Sequence, residues 1–536
     1  MATPSLAMIP SAIADSKVYS VLPNNGDGDF TFNRDSSATR VGQNGLIQTI
    51  GFFGNELVVN GDFATDSDWT KGTGTTISGG NANFVNATGV SLFQDIGTQT
   101  GTVKVEFTVT NYTSGTLNVY SGANQGIGTV NVSANALGTY IAYVVRTGGN
   151  VNIIFGSNDS FTGSIDFVSV KEVLGDQPRL NYDISNGAVQ SCPSLLLEPA
   201  STNLVTTSET LSDYWGLQGA TLIVDNQAVN PTGSLYANKL NTSSTATFRG
   251  LTNAETTAYD GKTLNVSVFA KKITNDYIFF YNIGSTSGAN GIWFNISNGT
   301  LGNIGGAWSN SKIEDYGNGW YRCSATVTFG TNTNYLYLLN SDGNGNTTST
   351  IGSQTYLWGS QIEEQSFATS YIPTNGSSQT RAAETCFNSS LTNYIGQTEG
   401  TMFIEFVPQD QSSLQILYQV RSNTGTIGQV DFRLQGGLIR ALSNDGGSSQ
   451  FNINGGSYIA GSKYKVAIRY KLNDSKLYIN GVSVGNDTNC SFTGSSLNQL
   501  SFAENLNGFI PSAKIYDARL FKEPLTDAQL QTLTTL

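Results

Sequence analysis

The stretch TVKVEFTVT, residues 102–110, alternates strictly between polar and apolar side chains. Successive side chains of a β-strand point to opposite faces, so the valines and the phenylalanine of this stretch would share one face. The same alternation recurs in residues 464–472, near the other end of the chain. Strands with one apolar and one polar face pack as the sheets of β-sandwiches. The pattern therefore predicts an all-β protein.

The composition favours the same fold class. The 536 residues suffice for three or four domains, and a hydrophobic fraction of 38% is enough to fill their cores. Only 12% of the residues are charged, whereas 60 are glycine, and long tracts are rich in Asn, Ser and Thr. Such a chain favours short strands joined by tight turns over helices.

The chain contains no histidine, which removes Ser-His-Asp triads and histidine zinc sites. The commonest enzymes on concanavalin-like sandwiches place two Glu around an Asp at alternate strand positions. No Glu in this chain has an Asp two positions later. We therefore expect no enzymatic activity, with a polysaccharide-degrading tailspike as the less favoured alternative.

Charge and cysteine content exclude other classes of protein. A net charge of -12 without any basic run argues against nucleic-acid binding. The 4 cysteines form no CxxC pair, so we expect buried free thiols. No apolar stretch approaches the ~18 residues of a membrane-spanning helix, and no basic residue precedes the apolar start at residues 5–14. We expect that the chain is synthesised in the host cytoplasm without a signal peptide and that it later acts outside the cell.

The chain divides into four regions and a link. They are residues 1–54, a short N-terminal segment; 55–173, a jelly-roll; 174–200, the link; 201–385, a second jelly-roll; and 386–536, a third sandwich. The first region is too short to form a core alone. We therefore expect it to be ordered by docking on a phage capsid, a phage tail or a partner protomer.

Three local structures are legible. Asn480-Gly481 suits the positive φ angles of a type I′ turn, which predicts a hairpin over residues 477–484. Thr526 and Gln529 form a capping box that predicts a helix over the last dozen residues. Residues 341–353 are rich in Gly, Asn and Thr and predict an exposed loop.

The segments at residues 5–11, 17–23 and 28–32 resemble the start of a group of tailed-bacteriophage virion proteins. The link resembles them too, through Pro-Arg-Leu-Asn-Tyr at 178–182 and Leu-Leu-Leu-Glu-Pro with Thr-Asn-Leu at 195–204. In those proteins a Gly-Leu-Ile segment leads almost directly to Pro-Arg-Leu-x-Tyr. Because the jelly-roll intervenes here, we interpret it as an insertion.

The three modules resemble lectin-like folds. Residues 60–63 and 165–170 make the first module similar to carbohydrate-binding jelly-rolls. The second resembles phage versions of that fold, and the third resembles concanavalin-like (laminin G-like) sandwiches. The matching stretches of these two modules are residues 318–322, 357–364, 368–373 and 380–383 in the second, and 477–484 and 518–521 in the third.

The resemblance to jelly-rolls also implies a structural calcium ion between the first and last strands of a module. Glu56, Asp62 and Asp166 are the candidate ligands. The alternative is that Asp62 caps a turn and that Asp166 is a solvated strand residue. Apart from calcium, no cofactor is expected.

Glycan binding would need exposed aromatic platforms, because apolar sugar faces stack on rings. Trp308 lies in a Gly/Ser/Asn loop and is the first candidate, followed by Trp69 and Trp215, which closely follow aspartates near the start of a module. The remaining tryptophans, Trp293, Trp320 and Trp358, lie in strand-like patterns that predict core packing.

Together these features predict a structural protein of a tailed-phage particle. It would be a homotrimeric tail fibre that binds host surface polysaccharide through lectin-like domains and does not insert into membranes. The alternatives are a head fibre or capsid decoration protein, and a cellular adhesin.

Overall fold

A computed structural model describes residues 2–97, 101–122, 129–146, 152–219, 221–255, 258–287, 290–331, 334–374, 376–411, 414–422, 428–445, 448–492, 496–503 and 509–536. Strands make up most of this part of the chain, with one 3₁₀ turn at Leu211–Asp213 and one helix, α1, at Asp527–Thr534. The all-β prediction is confirmed. The chain separates into two compact units, one of residues 51–175 and 374–378, the other of residues 1–50, 176–373 and 379–536.

The strands that precede residue 51 are β1 Leu6–Met8, β2 Ile13–Ala14, β3 Lys17–Val18, β4 Phe30–Asn33, β5 Ala38–Val41 and β6 Ile47–Ile50. Those of residues 51–175 are β7 Phe52–Glu56, β8 Thr70–Lys71, β9 Thr75–Ser78, β10 Asn81–Asp95, β11 Gly101–Ser114, β12 Leu117–Gly122, β13 Thr129–Ala134, β14 Gly138–Arg146 and β15 Asn152–Gly175. The link region carries β16 Arg179–Asn181, β17 Ile184–Ser185, β18 Ala188–Val189 and β19 Ser194–Leu197.

The second sandwich and its margins contain β20 Ser201–Asn203, β21 Gly216–Gln218, β22 Thr221–Ala228, β23 Ala237–Thr242, β24 Ala246–Thr247, β25 Arg249–Glu255, β26 Thr263–Lys272, β27 Tyr277–Ile283, β28 Asn290–Asn295, β29 Thr300–Ile304, β30 Trp308–Asp315, β31 Trp320–Thr328, β32 Asn334–Ser341, β33 Thr348–Ser349, β34 Gln354–Glu363 and β35 Gln379–Arg381. The last region contains β36 Thr385–Asn388, β37 Gly400–Pro408, β38 Gln415–Arg421, β39 Gly428–Gln435, β40 Leu438–Asp445, β41 Ser448–Ser457, β42 Tyr464–Tyr470, β43 Ser475–Ile479, β44 Val482–Asp487, β45 Gln499–Ala503 and β46 Ala513–Phe521.

The C-terminal sandwich is built from three separate stretches of the chain. One sheet has the order β16-β19-β46-β37-β42-β43-β44, with β1 also paired to β46, and the other has the order β2-β3-β4-β36-β45-β38-β39-β40-β41. Leu6, Met8, Phe30 and Phe32 are buried in its core beside residues of the last region. The expectation that a capsid, tail or partner protomer must order the N-terminal segment is therefore wrong for these residues, since the same chain supplies their core.

The link also belongs to this sandwich. Leu195, Leu196 and Leu197 form β19, which pairs antiparallel with Ala513–Ile515 of β46. Leu195 and Leu197 enter the shared core. The apolar run that follows Pro193 is thus a sheet strand and not a linker.

The second sandwich consists of two six-stranded antiparallel sheets around one core. Their orders are β21-β25-β32-β27-β28-β29 and β22-β23-β34-β26-β31-β30. The hairpin β5–β6 packs on the outer face of the second of these sheets, where Ile47 joins Phe269, Trp320 and Trp358.

Residues 51–175 form a sheet of nine strands with its own core. Its two ends lie together, because Phe52 pairs with Gly175 in the β7–β15 ladder. This is the arrangement expected of an inserted module.

The local predictions hold. Asn480 and Gly481 have φ angles of 49° and 81° between β43 and β44, as a type I′ turn requires. Thr526 and Gln529 form the capping box of α1. Cys323, Cys386 and Cys490 are buried free thiols, but Cys192 is exposed, contrary to expectation. No helix in the described part of the chain is long and apolar enough to cross a membrane.

Candidate functional site

Five charged residues from separate parts of the chain form a buried ionic junction. We use this name for Arg34, Arg179, Glu198, Arg381 and Glu384, which are all at most 3% exposed. Arg179 bridges the two carboxylates: its Nη1 lies 2.8 Å from Glu198 Oε2, and its Nε lies 2.8 Å from Glu384 Oε1. Arg34 contributes a further ion pair of 2.8 Å with Glu384, and Arg381 one of 2.9 Å with Glu198.

The ionic junction joins the N-terminal segment, the link and the end of the second sandwich. Ser370 donates its backbone N–H and its hydroxyl to Glu198, each at 2.8 Å. Burial opposes ionisation of Glu198, yet Arg381, Arg179 and Ser370 lower the pKa of Glu198 to about 2. Glu198 is thereby kept ionised inside the protein, and the stretches that contain Arg179, Glu198 and Arg381 have a structural role.

None of the three tryptophans proposed as sugar platforms offers a ring to solvent. Trp308 is 5% exposed, packs near Phe280 and donates its indole N–H to the carbonyl of Asn290 at 3.1 Å. Trp69 is 6% and Trp215 is 2% exposed, and both lie in sandwich cores. The prediction of an exposed platform at Trp308 is wrong, because a loop position does not reveal that the ring turns inward.

The three carboxylates proposed as calcium ligands do not form a common site. Both oxygens of Glu56 accept hydrogen bonds, from the backbone of Val170 and the hydroxyl of Ser169. Asp62 accepts from the backbone of Ala64, and Asp166 accepts from that of Phe167. Within the described residues, no three acidic or cysteine side chains gather as metal ligands. The three carboxylates are thus held by hydrogen bonds to nearby groups and are not gathered as one ligand set; calcium binding stays a prediction.

The structure instead presents an aromatic face on the second sandwich. We define this face as the outer side of the sheet that contains β25, β27, β28 and β32. Its members are Phe248, Tyr277, Phe279, Tyr281, Trp293, Tyr335, Tyr337 and Leu339. The inward positions of these strands, such as Ile278 and Phe280, fill the core. Both faces of the sheet are therefore rich in large apolar groups.

The rings of the aromatic face are arranged in contact with one another. Phe279 and Trp293 stack with centroids 5.0 Å apart and planes only 5° apart. Tyr335 and Tyr337 stack at 6.0 Å along one strand, and Tyr337 lies 6.0 Å from Tyr281 across the ladder. Phe279 and Leu339 form the buried base, while the four tyrosines are half-buried. The result is a surface of ring faces and edges fringed by phenol hydroxyls.

Glycine and a loop shape one end of this face. The ring of Trp293 lies over Gly291, where an added Cβ would come within 2.8 Å of the indole. The indole N–H of Trp293 donates to the carbonyl of Asn346 at 2.8 Å. Asn346 belongs to the predicted loop, whose residues Asp342, Asn344 and Asn346 are exposed. Amide groups therefore border the rings.

The other sheet of the same sandwich provides a contrast. Its outer face also carries the large rings of Phe269, Trp320 and Trp358. Two side chains cover these rings: Ile47, from the β5–β6 hairpin, and Tyr371, from the segment after β34. Trp320 and Trp358 are consequently at most 2% exposed. One aromatic outer face is used for internal packing, whereas the tyrosines of the other remain partly open to solvent.

The sequence contains a signal for this face that tryptophan-based reasoning missed. Tyr277, Phe279 and Tyr281 of β27 alternate with core residues, and Tyr335 and Tyr337 repeat the pattern in β32, the strand that pairs with β27. Aromatic residues at both odd and even positions of a strand indicate that both faces of the strand, including the outer one, are apolar. The strand-like pattern around Trp293 predicts a core residue, and Trp293 is 8% exposed.

No family model and no curated protein matches the chain. Solved structures resemble parts of it. The CBM40 of Ruminococcus gnavus IT-sialidase bound to alpha2,3 sialyllactose is 14% identical over 26% of this chain and 84% of its own, with a TM-score of 0.23. Domain 4 of AbnA, a GH43 extracellular arabinanase from Geobacillus stearothermophilus, in complex with arabinotriose, is 15% identical over 32% and 81%, with a TM-score of 0.25.

The galectin LEC-6 of Caenorhabditis elegans is 14% identical over 24% of this chain and 85% of its own, with a TM-score of 0.18. These neighbours are carbohydrate-binding or lectin-like domains. Scores this low carry no argument about the present chain, whose sandwich fold follows from its own sheets.

Proposed function

We propose that this chain is a structural protein of a tailed-phage particle that adheres to host surface glycans through its lectin-like sandwiches, as a tail fibre does. The observation that carries the proposal is the aromatic face. Sugar rings bind where apolar C–H faces meet aromatic rings and where hydroxyls meet amide and phenol groups. Tyr281, Tyr335 and Tyr337 supply the rings and hydroxyls, and the loop at Asn344–Asn346 supplies amides.

The rigid architecture also supports adhesion. The N-terminal segment, the link and both sandwiches of the larger unit share the ionic junction and two continuous cores. Such a body holds its binding face in a fixed orientation, which reduces the entropy lost on binding. The proposal includes no catalytic step.

Binding to the aromatic face can be tested on an array of bacterial polysaccharides. The double variant Tyr281→Ala/Tyr337→Ala should lose affinity about ten-fold or more, because each ring contact contributes roughly 0.5–1.5 kcal/mol. Tyr19→Ala is the matched control, since Tyr19 is an exposed tyrosine away from this face. Equal binding by the double variant and the wild type would refute the assignment of the face.

The particle role needs a separate test. Electron microscopy of intact particles with an antibody to this chain should label the tail. Label on the capsid would indicate a head fibre or decoration protein, and unlabelled particles would exclude the virion role. Light scattering of the purified chain should give the mass of a trimer, which would multiply weak sugar contacts by avidity.

A further inference from the structure

A second, polar cleft lies within the larger unit, away from the aromatic face. It has a volume of about 450 Å³. The walls come from the β5–β6 hairpin, the link, the second sandwich and the C-terminal sandwich; they include Arg40, Tyr182, Glu314 and Lys514. The cleft reaches the surface at Ser185 and Gln190, which are exposed. Its volume lies within the ~300–1,000 Å³ of typical ligand sites.

Two guanidinium groups in the wall carry unused hydrogen-bond donors. The Nε of Arg40 and the Nε of Arg322 are buried without a hydrogen-bond partner. Arg40 makes a long hydrogen bond of 3.4 Å to the carbonyl of Leu180. Arg322 is 2% exposed and anchored by Thr369 and Ser267, so its position is fixed. A buried donor without a partner is destabilising, and an incoming acceptor would relieve that cost.

Two of the four carboxylates in the wall, those of Asp183 and Glu198, are paired with cations. Asp183 binds Lys514 at 2.6 Å and also accepts from Tyr516. Asp315 accepts from the backbone of Gly187 at 2.6 Å and of Gly317 at 2.8 Å. Glu198 is part of the ionic junction. Asp183 and Glu198 therefore compete little for the two guanidinium groups, and Glu314 is the wall carboxylate that stands opposite Arg322.

Acceptors for hydroxyl groups stand in the same cleft. Glu314 lies directly across from Arg322 in the β30–β31 ladder. Gln190, Gln409 and the phenol ring of Tyr182 also line the walls. Cationic donors beside carboxylate, amide and aromatic groups suit a ligand that carries one anionic group and several hydroxyls.

We propose that this cleft binds a carboxylate-bearing sugar unit of the uronic-acid type, with the carboxylate on Arg40 and Arg322 and hydroxyls on Glu314 and the glutamine amides. The inference deepens the proposed adhesive function by naming a glycan class, but it uses a different site. Its outcome does not depend on the aromatic face.

The test is calorimetric titration of the full chain with sodium glucuronate and, as the neutral counterpart, with glucose. Glucuronate should bind and glucose should bind at least ten-fold more weakly. Arg40→Gln should weaken glucuronate binding at least ten-fold, and Arg40→Lys should retain part of it. Arg249→Gln, which removes an arginine outside the cleft, should bind glucuronate like the wild type.

Equal binding of glucose and glucuronate, or no binding of glucuronate, would overturn the proposal. An unchanged affinity of Arg40→Gln would do so as well. Thermal melting of each variant establishes that it is folded, and a crystal soaked with glucuronate should place the carboxylate beside Arg40. If the Tyr281→Ala/Tyr337→Ala variant keeps the array binding of the wild type while the wild type binds glucuronate, only the cleft is a glycan site. If that variant loses array binding and the wild type does not bind glucuronate, only the aromatic face is a glycan site.

Discussion

At the scale of single residues, the ionic junction shows what short sequence stretches far apart in the chain can encode together. The Arg of the Pro-Arg-Leu stretch and the Glu of the Leu-Glu-Pro stretch are Arg179 and Glu198, and they form an ion pair. Arg381 of the Thr-Arg stretch binds the same glutamate. Buried charges of this kind specify one arrangement of the chain, because each needs its partners.

Glu384→Gln should strongly destabilise the protein. The change leaves Arg34 without its ion pair and Arg179 with one carboxylate fewer, both fully buried. Breaking a buried pair from one side costs about 3–5 kcal/mol. Denaturant unfolding measures the effect, with Asp276→Asn as a control, because the Asp276–Lys272 pair is exposed and should contribute little. Equal midpoints for the two variants would contradict this account.

Acid should weaken the ionic junction in a defined range of pH. The folded pKa of Glu198 is about 2, below its ordinary value of 4.5. Its contribution to stability is therefore complete above pH 4.5 and is lost as the pH falls toward 2. The lost part is about 3 kcal/mol, at 1.36 kcal/mol per pH unit. The unfolding free energies of the wild type and of Glu198→Gln, measured between pH 6 and 2.5, should converge as the pH falls. Parallel curves would contradict a stabilising role of the ionised Glu198.

At the scale of elements, the N-terminal strands are structural parts of the C-terminal sandwich. β1 adds to β46, and β4 pairs with β36, so residues more than 350 positions apart in the chain share ladders. Their alternating burial, with Phe30 and Phe32 inside, is the same period-2 pattern that marks the other strands.

Phe32→Ala should destabilise the C-terminal sandwich. The Phe32 ring is fully buried, and removing such a ring costs about 3–5 kcal/mol. Val21→Ala, at a side chain that is 45% exposed, serves as the control and should change little. Thermal unfolding decides the matter: similar melting temperatures for both variants would mean that the N-terminal strands are dispensable.

At the scale of the whole molecule, the chain is one discontinuous sandwich interrupted by other modules. The C-terminal sandwich takes strands from residues 6–33, 179–197 and 385–521. Insertion between them is possible where the ends of a module lie together, since the host then needs no rearrangement.

Residues 51–175 should be removable. Phe52 and Gly175 are ladder partners, so their Cα atoms stand about 5 Å apart and a two-residue Gly-Ser bridge can replace the module. The shortened chain should unfold cooperatively with the melting temperature of the larger unit in the full chain. Removal of residues 201–250 is the control, because it cuts strands β20 to β24 from the second sandwich and should abolish folding. Aggregation of both deletions would refute the independence of the module.

Much of the fold was predictable from local patterns. The strands, the Asn480-Gly481 hairpin and the capping box at Thr526 all depend on residues close in the chain. The candidate binding sites could not be predicted from such local patterns. Trp308, Trp69 and Trp215 are buried, and the aromatic face is made of tyrosines and phenylalanines whose exposure depends on whether another element packs on them.

The sequence by itself determined the fold class, because alternation and turn chemistry are local properties of the chain. It also determined that no imidazole chemistry is available, since the chain contains no histidine. Only the tertiary structure decided which strands share a sheet and which aromatic face stays open. Pairing between residues 6 and 520, or cover of Trp358 by Ile47, is set by long-range packing that leaves no mark in either segment alone.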